Sequence, residues 1–518
     1  MVTPRSIRAL AAMLGTASPE PAPEPAGEPA GDAAREVAQG QVAMITGVCL
    51  DSRHLSPGDL YAALPGSHAH GAQFAAAVAA AGAAAILTDP AGADLARASG
   101  LPTLVVDDPR SRVGEVAAWA YGRPAEQLLL VGVTGTNGKT TVSYLVESGL
   151  RAAGHVTGLV GTVETRVAGE VVASERTTPE APDVQALLAL MVERGCTAAA
   201  MEVSSHALAL GRVDGIAFDV AVFTNLTQDH LDFHPTLEEY YRAKASLFTP
   251  RRARLGVVNI DDEYGRRLVR DAAVPVITYS TAGSAADWFA DDVQLRADGS
   301  AFKVVGPAGE RAPGQVRLPA GFNVSNALAA IVALQAAGVP LHAAVAGVGQ
   351  LPGIPGRLEQ VAAGQPFLAV VDYAHTPDAV TTLLAAVREL VTGRVIVVLG
   401  CGGDRDPYKR PVMGAAAVRG SDLAVLTADN PRSEDPDAIL AAMAAGAESV
   451  SPAAGGRWLV QPDRRAAIDI AVRAAGAGDV VVVAGKGHEL GQDVGGQVRA
   501  FDDRVELRAA IEDLAVAS

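Results

Sequence analysis

Lys139 and Thr140 close a glycine-rich turn in the run Leu128–Thr141, LLLVGVTGTNGKTT. A Leu/Val run, as in a buried parallel strand, leads into the turn, and a helical pattern follows through roughly Arg151. A strand, a glycine-rich turn, Lys-Thr and a helix form a phosphate cradle. Backbone N–H groups curl around phosphate oxygens, and the helix start adds the positive end of its dipole. Thr134, Gly135, Thr136, Asn137 and Gly138 would supply the cradle. Lys139 can reach the β- and γ-phosphates, and the Thr140 hydroxyl suits Mg²⁺. The usual pattern G-x-x-x-x-G-K-[ST] would start with glycine at 133, where this chain has Val133. The turn is therefore a variant, anchored by Gly132, Gly135 and Gly138.

Three further groupings fall in the same region. Ala198–Val203 reads as a buried strand ending in Glu202-Val-Ser204-Ser205-His206. An acid at a strand end near a phosphate loop suits a second Mg²⁺ ligand, and a helix N-cap run is the alternative. A strand at Val220–Phe223 leads into TNLTQDHLDFH, which holds Asp229, His230, Asp232 and His234. Such a cluster can bind metal or nucleotide, or simply satisfy its own loop. A helix capped by Thr236 then carries an apolar stripe of Leu237, Tyr240, Tyr241, Leu247 and Phe248, with Lys244 on the same side. Either the Lys244 stem snorkels, or the amine is kept neutral by desolvation. A neutral amine can take up CO₂ as a carbamate and become an anionic metal ligand.

The last third of the chain carries strand candidates at Phe367–Val371, Val395–Leu399, Leu423–Thr427 and Val480–Ala484. Each ends in a Gly-, Asp- or His-rich turn, the rhythm of a doubly wound sheet with ligands beyond its strand ends. Arg405 and Arg432 would suit carboxylates, while Asp429 and Glu489 would suit an amine. This is the charge pattern of an amino-acid pocket, or of a salt-bridged loop rim.

These groups need a large scaffold, and 518 residues with 49% apolar content provide about three domains. The expected division is a disordered Pro/Ala/Glu-rich lead over 1–40, then domains at 41–124, 125–351 and 352–518. Ser18–Asp32 is the core of the lead. A net charge of −16 argues against nucleic-acid binding. Three widely spaced cysteines fit a reducing compartment and suggest neither a disulfide framework nor a zinc site. No signal pattern and no run near 20 apolar residues occurs, so a cytoplasmic protein without membrane insertion is expected.

Taken in order, TGTNGKTT, EVSSHAL, TNLTQDHLDFH, YYRAKASLF, GRLE, DYAHTPD and GCGGDRD resemble the Mur ligase family from about residue 45 to 505. These are ATP-dependent amide-bond synthetases of bacterial cell-wall assembly. The resemblance implies an α/β protein of three domains. They are a small uridine-nucleotide domain, a central P-loop-type parallel-sheet ATPase domain and a C-terminal Rossmann-like domain. Within the family, Asp429-Asn430-Pro431-Arg432 is similar to the motif of the branch that adds diaminopimelate to UDP-N-acetylmuramoyl-L-Ala-D-Glu.

On that resemblance, residues 134–140 with Asn326, Arg357, Asp372 and His375 hold ATP. Lys139, Glu202, His230 and Lys244 carry the catalysis. Thr140 and Glu202 ligate one Mg²⁺, and His230 with Lys244 as a CO₂-derived carbamate ligates another. Leu50, Ser52, Ser67, His68, Ala69, Thr177, Thr178, Ser204 and Arg212 contact the uridine substrate. Arg405, Asp429, Asn430, Pro431, Arg432, Gly485 and Glu489 line the diaminopimelate pocket. A monomer is expected. The sequence departs from the family pattern at Leu210, where some relatives carry a polar substrate contact, and at His70-Gly71, which replaces Asp-Gly. A lysine-adding or folate polyglutamate ligase is the competing reading. A nucleotide-binding regulator without activity is another, although Glu202, His230 and Lys244 are all retained.

Overall fold

The computed structural model describes residues 3–16, 43–66, 69–173, 176–283, 285–451 and 455–517. Three larger sheets follow one another along the described residues. The first has four parallel strands, in the order Gly47–Cys49, Asp59–Ala63, Ala85–Thr88 and Thr103–Val105. The expectation of a disordered lead over 1–40 fails at its start. Arg5–Ser6 pairs antiparallel with Met44–Ile45, and a helix at Ile7–Leu14 follows, capped by Ser6. Ile7, Leu10 and Ala11 are buried with Ile45 and Leu60 in the first core. The i, i+3, i+4 spacing of these residues is the amphipathic signal that the adjacent low-complexity stretch obscures. Ser18–Asp32 lies outside the described residues.

The central sheet has eleven strands. Its parallel heart runs Thr157–Val160, Ala198–Glu202, Leu129–Thr134, Phe218–Phe223, Ala253–Asn259 and Val276–Ser280. The strand Leu129–Thr134 lies between Ala198–Glu202, which ends in Glu202, and Phe218–Phe223, which leads into Thr224 and Asn225. Both of its faces are covered, which is why it reads as a continuous apolar run. Val131 and Val133 pack with Val142 and Leu145 of the helix Lys139–Ala152 and with Leu328 of the helix Gly321–Ala336. Leu130 packs on the other face with Val184, Leu188 and Tyr240. Gly132 belongs to this strand and not to the turn. A Cβ there would stand 2.9 Å from the Phe218 ring, so this glycine serves packing. The antiparallel strands Trp288–Arg296, Gly299–Val305 and Arg311–Val316, which extend the far edge, lack a clear sequence signal.

The third sheet has six strands, in the order Glu359–Gln360, Leu368–Asp372, Val480–Ala484, Val395–Cys401, Leu423–Ala428 and Arg457–Val460. All pairs but the first are parallel. The four strands anticipated from sequence form its centre. A hairpin of Gly491–Val494 and Gln497–Ala500 adds a flap beside it. Among the described residues no helix is long and apolar enough to cross a membrane.

Candidate active site

The glycine-rich loop at 134–140 is held by the neighbouring strand end. Thr136 N–H donates to the Asn225 carbonyl at 2.9 Å, and Asn137 N–H to Asn225 Oδ1 at 2.9 Å. The Thr224 hydroxyl donates to the Asn137 carbonyl at 2.6 Å. Gly135 and Gly138 adopt φ of 150° and 86°, which side chains disfavour. A Cβ on Gly135 would fall 1.9 Å from Thr224 Oγ1. The Lys139 ammonium is folded back on the Gly135 and Thr136 carbonyls at 3.0 and 2.9 Å, and burial lowers its pKa.

A cavity of about 530 Å³ opens between the central and third sheets. Lys139, Thr140, Glu202 and His230 line it from one side, and Arg357, Asp372 and His375 from the other. An Arg357 Nη donates to Thr140 Oγ1 at 3.1 Å, while the guanidinium lies 4.5 Å from the Tyr373 ring centroid. Arg357 Nε is buried without a hydrogen-bond partner among the described residues. A fixed guanidinium with a spare donor beside a glycine-rich turn and a helix start suits a polyphosphate. Asp372 accepts from the N–H groups of Leu358 and Ala374, and its burial raises its pKa. His375 Nδ1 donates to the Tyr373 carbonyl at 2.9 Å, which fixes the ring. Asn326, also on the wall, donates to Asn323 Oδ1 at 3.1 Å.

Glu202 is buried at the end of its strand and accepts from Thr162 N–H and Oγ1 at 2.7 and 2.9 Å. The helix-cap alternative belongs to Ser204 instead, whose hydroxyl accepts from Ala207 N–H. Glu202 and Thr140 thus offer hard oxygen ligands to one cavity, a donor set that fits Mg²⁺. Thr177 and Ser204 line the same cavity. Thr178 donates to the Glu202 carbonyl at 2.9 Å, and Arg212 pairs with Glu180 at 2.9 Å.

Lys244 does not snorkel. It is 1% exposed, its amine donates to the Gly135 carbonyl at 2.7 Å, and it lies 4.5 Å from the Tyr240 ring centroid. Burial and the charge of Lys139 lower its pKa well below that of a free lysine. A lowered pKa favours the neutral form of the amine. Of the adjoining cluster, Asp229 and His230 line the cavity. His230 holds φ of 54° with Nε2 3.4 Å from Asp229, and burial lowers its pKa. His234 is buried, packing against His206 with ring centroids 5.7 Å apart.

The remaining candidates lie elsewhere. Leu50 and Ser52 follow the strand Gly47–Cys49 of the first sheet, and Ala69 lies on an exposed turn there. Ser67 and His68 lie outside the described residues. The departure at His70-Gly71 has a local reason. His70 caps the turn Gly71–Phe74 through Nδ1 and pairs with Asp89 at 3.0 Å. Arg405, Asp429, Asn430, Pro431, Arg432, Gly485 and Glu489 gather at strand ends of the third sheet, outside the cavity walls. Arg405 is exposed and bonds the Asp404 carbonyl. Arg432 holds φ of 54° and donates to the Gly403 carbonyl. Gly485 leaves room for Asp429, whose Oδ2 would stand 2.6 Å from a Cβ. Asn430 donates to Glu489 Oε2 at 2.7 Å. Sequence reasoning missed Thr224, Asn225, Tyr373 and Lys486. They act through contacts between distant segments and carry no local periodic signal.

The chain matches three domain descriptions in chain order. They are the Mur ligase family catalytic domain at 44–121, the Mur ligase middle domain at 133–334 and the Mur ligase glutamate ligase domain at 356–487. A UDP-N-acetylmuramoyl-L-alanyl-D-glutamate–2,6-diaminopimelate ligase of Streptomyces coelicolor is 60% identical over 91% of this chain and 93% of its own. The ligase of the same name from Corynebacterium glutamicum is 48% identical over 90% and 92%. A solved structure of a ligase with that name superposes with a TM-score of 0.64 at 35% identity, covering 91% of this chain and 96% of that one.

Proposed function

The chain belongs to the Mur ligase family, and we propose that it joins 2,6-diaminopimelate to UDP-N-acetylmuramoyl-L-alanyl-D-glutamate in peptidoglycan precursor synthesis. ATP is cleaved to ADP and phosphate in the process. One observation carries the reading: Lys139 and Thr140 face Arg357, Asp372 and His375 across a single cavity. The names and high identity of the relatives support the choice of substrates.

The D-glutamate γ-carboxylate attacks the γ-phosphorus of ATP, the bond to ADP breaks, and an acyl phosphate forms. The amine of diaminopimelate attacks the acyl carbon, loses a proton, and phosphate leaves. Residues 134–140 cradle the triphosphate. Lys139 exchanges its loop carbonyls for phosphate oxygens and offsets their growing charge. Arg357, Asn326, Asp372 and His375 hold the rest of the nucleotide. Thr140 with Glu202, and His230 with carbamylated Lys244, would hold Mg²⁺ ions, which offset charge on the transferring phosphoryl group.

Thr177, Thr178, Ser204 and Arg212 would receive the muramoyl dipeptide. Leu50, Ser52, Ser67, His68 and Ala69 would receive the uridine nucleotide, in a domain at 41–124 that residues 3–16 complete. The domains at 125–351 and 352–518 would divide the chemistry, with closure joining the acceptor pocket to the cavity. Arg405 and Arg432 would take carboxylates of the acceptor, and Asp429 and Glu489 its amine. The protein would act as a cytoplasmic monomer.

The test is phosphate release with ATP, Mg²⁺ and the uridine dipeptide, with meso-diaminopimelate, LL-diaminopimelate or L-lysine supplied in turn. Turnover with a diaminopimelate isomer and none with lysine is expected. Turnover with lysine alone would overturn the pocket assignment, and silence with all three would overturn the ligase reading.

A further inference from the structure

The Lys486 side chain is 0% exposed. It lies between Gly485 and Gly487, just past the strand Val480–Ala484. Its Nζ donates to Asn430 Oδ1 at 3.0 Å, to Glu489 Oε2 at 3.0 Å and to the Gly491 carbonyl at 2.6 Å. An ammonium has three protons to give, and all three are used. Lys486 therefore has no donor left for a ligand, and its work is on its neighbours.

Those neighbours are two candidate acceptor-pocket residues and the start of the hairpin flap. Asn430 is gripped from several sides. Its Oδ1 accepts from Lys486 and from Asp493 N–H, and its Nδ2 donates to Glu489 Oε2. Glu489 Oε2 thus takes two donors, and no bond to Oε1 occurs among the described residues. A half-satisfied carboxylate, held in one rotamer and partly open to solvent, is prepared to accept from an incoming ammonium. The flap is tied to the same loop, since Arg432 N–H donates to the Asp493 carbonyl and Gln492 Nε2 to the Asp429 carbonyl.

We propose that Lys486 is a positioning residue that fixes Asn430, Glu489 and the flap at 491–500 in the geometry that binds the acceptor amino acid. This rests on the assignment of that pocket under the proposed function. Without Lys486, Asn430 Oδ1 and Glu489 Oε2 would each lose a charged donor inside the protein. Glu489 would be free to turn, and the flap would lose its tie at Gly491.

The experiment compares Lys486→Met with wild type in steady-state kinetics for each substrate in turn. KM for diaminopimelate should rise by roughly 10- to 100-fold, while KM for ATP and for the uridine dipeptide stays within about twofold. Glu489→Gln alone and combined with Lys486→Met should be non-additive, the double variant being little worse than Glu489→Gln. Equal losses for all three substrates, or strict additivity with Glu489→Gln, would overturn the proposal. If Lys486→Met does not yield folded protein, Lys486→Gln, which keeps a shorter donor, should show the same split in smaller degree. An unchanged KM for diaminopimelate in folded Lys486→Gln would overturn it equally. A wild-type protein inactive with diaminopimelate would instead refute the pocket assignment itself.

Discussion

Gly138→Ala tests whether the phosphate loop works by backbone conformation. Gly138 precedes Lys139 and has φ 86° and ψ −11°, a left-handed conformation. Placing alanine there costs about 1–2 kcal/mol. The new Cβ would also stand 2.5 Å from Asn326 Oδ1, whose amide is bonded to Asn323. Displacing that side chain costs about 1 kcal/mol more. The sum of about 2–3 kcal/mol has two outlets. If the loop keeps its shape, the cost appears as lost stability. If the loop yields, the helix start moves with Lys139 and Thr140, and ATP affinity falls by roughly 30- to 150-fold. Calorimetric titration with a non-hydrolysable ATP analogue, paired with thermal melting, reads both. Gly132→Ala is the control. The nearest atoms to its Cβ are those of the Phe218 ring, in the strand and away from the turn, so it should lower the melting temperature and leave ATP affinity nearly unchanged. A Gly138→Ala protein that binds within about threefold of wild type and melts within about 1 °C of it would refute the reasoning.

Lys244→Ala should abolish most phosphate release, and added short carboxylates should restore part of it; full activity without additive would exclude a carbamate role. Arg357→Lys removes the bond to Thr140 and the stacking on Tyr373, so KM for ATP should rise about tenfold while KM for diaminopimelate holds. Arg464→Met breaks a wholly buried pair with Asp503 and releases the Ala428 and Ala484 carbonyls that precede two pocket turns. It should destabilise the third unit by about 3–5 kcal/mol, read as a lowered unfolding transition in a denaturant series. His488 is held down to about 4 by burial and by the charge of Arg357. It is neutral when folded and takes up a proton near 6.5 when unfolded, so its contribution is intact above pH 6.5 and is lost as pH falls toward 4. His488→Gln should flatten the pH dependence of the melting temperature in that window, and an unchanged profile would contradict the buried neutral ring.

Local chemistry made much of the site legible. A Leu/Val run before Gly135–Thr140 is a strand feeding a glycine-rich turn and a helix start whichever neighbours it has, because buried parallel strands and helix starts impose those residue types. The stripe around Lys244 leaves snorkelling and burial both open, and the structure buries the amine against Gly135. Gly132 belongs to the strand and not to the turn, which sequence adjacency does not reveal because the Phe218 ring lies across the sheet. The helix Ile7–Leu14 is hard to see beside a Pro/Ala/Glu stretch because composition averaged over forty residues hides eight.

The sequence by itself determined the strand and helix identities around each motif and the chemical capacity of Lys139, Glu202, Lys244 and Arg432. Those follow from side-chain chemistry and from periodicity, which are local. Only the tertiary structure decided that Arg357 meets Thr140, that Asn225 and Thr224 brace the loop, and that Lys486 ties Asn430 to Glu489. Each of those contacts joins strand ends or turns whose placement depends on sheet order and packing, and a buried charge shows its partners only once the chain has closed around it.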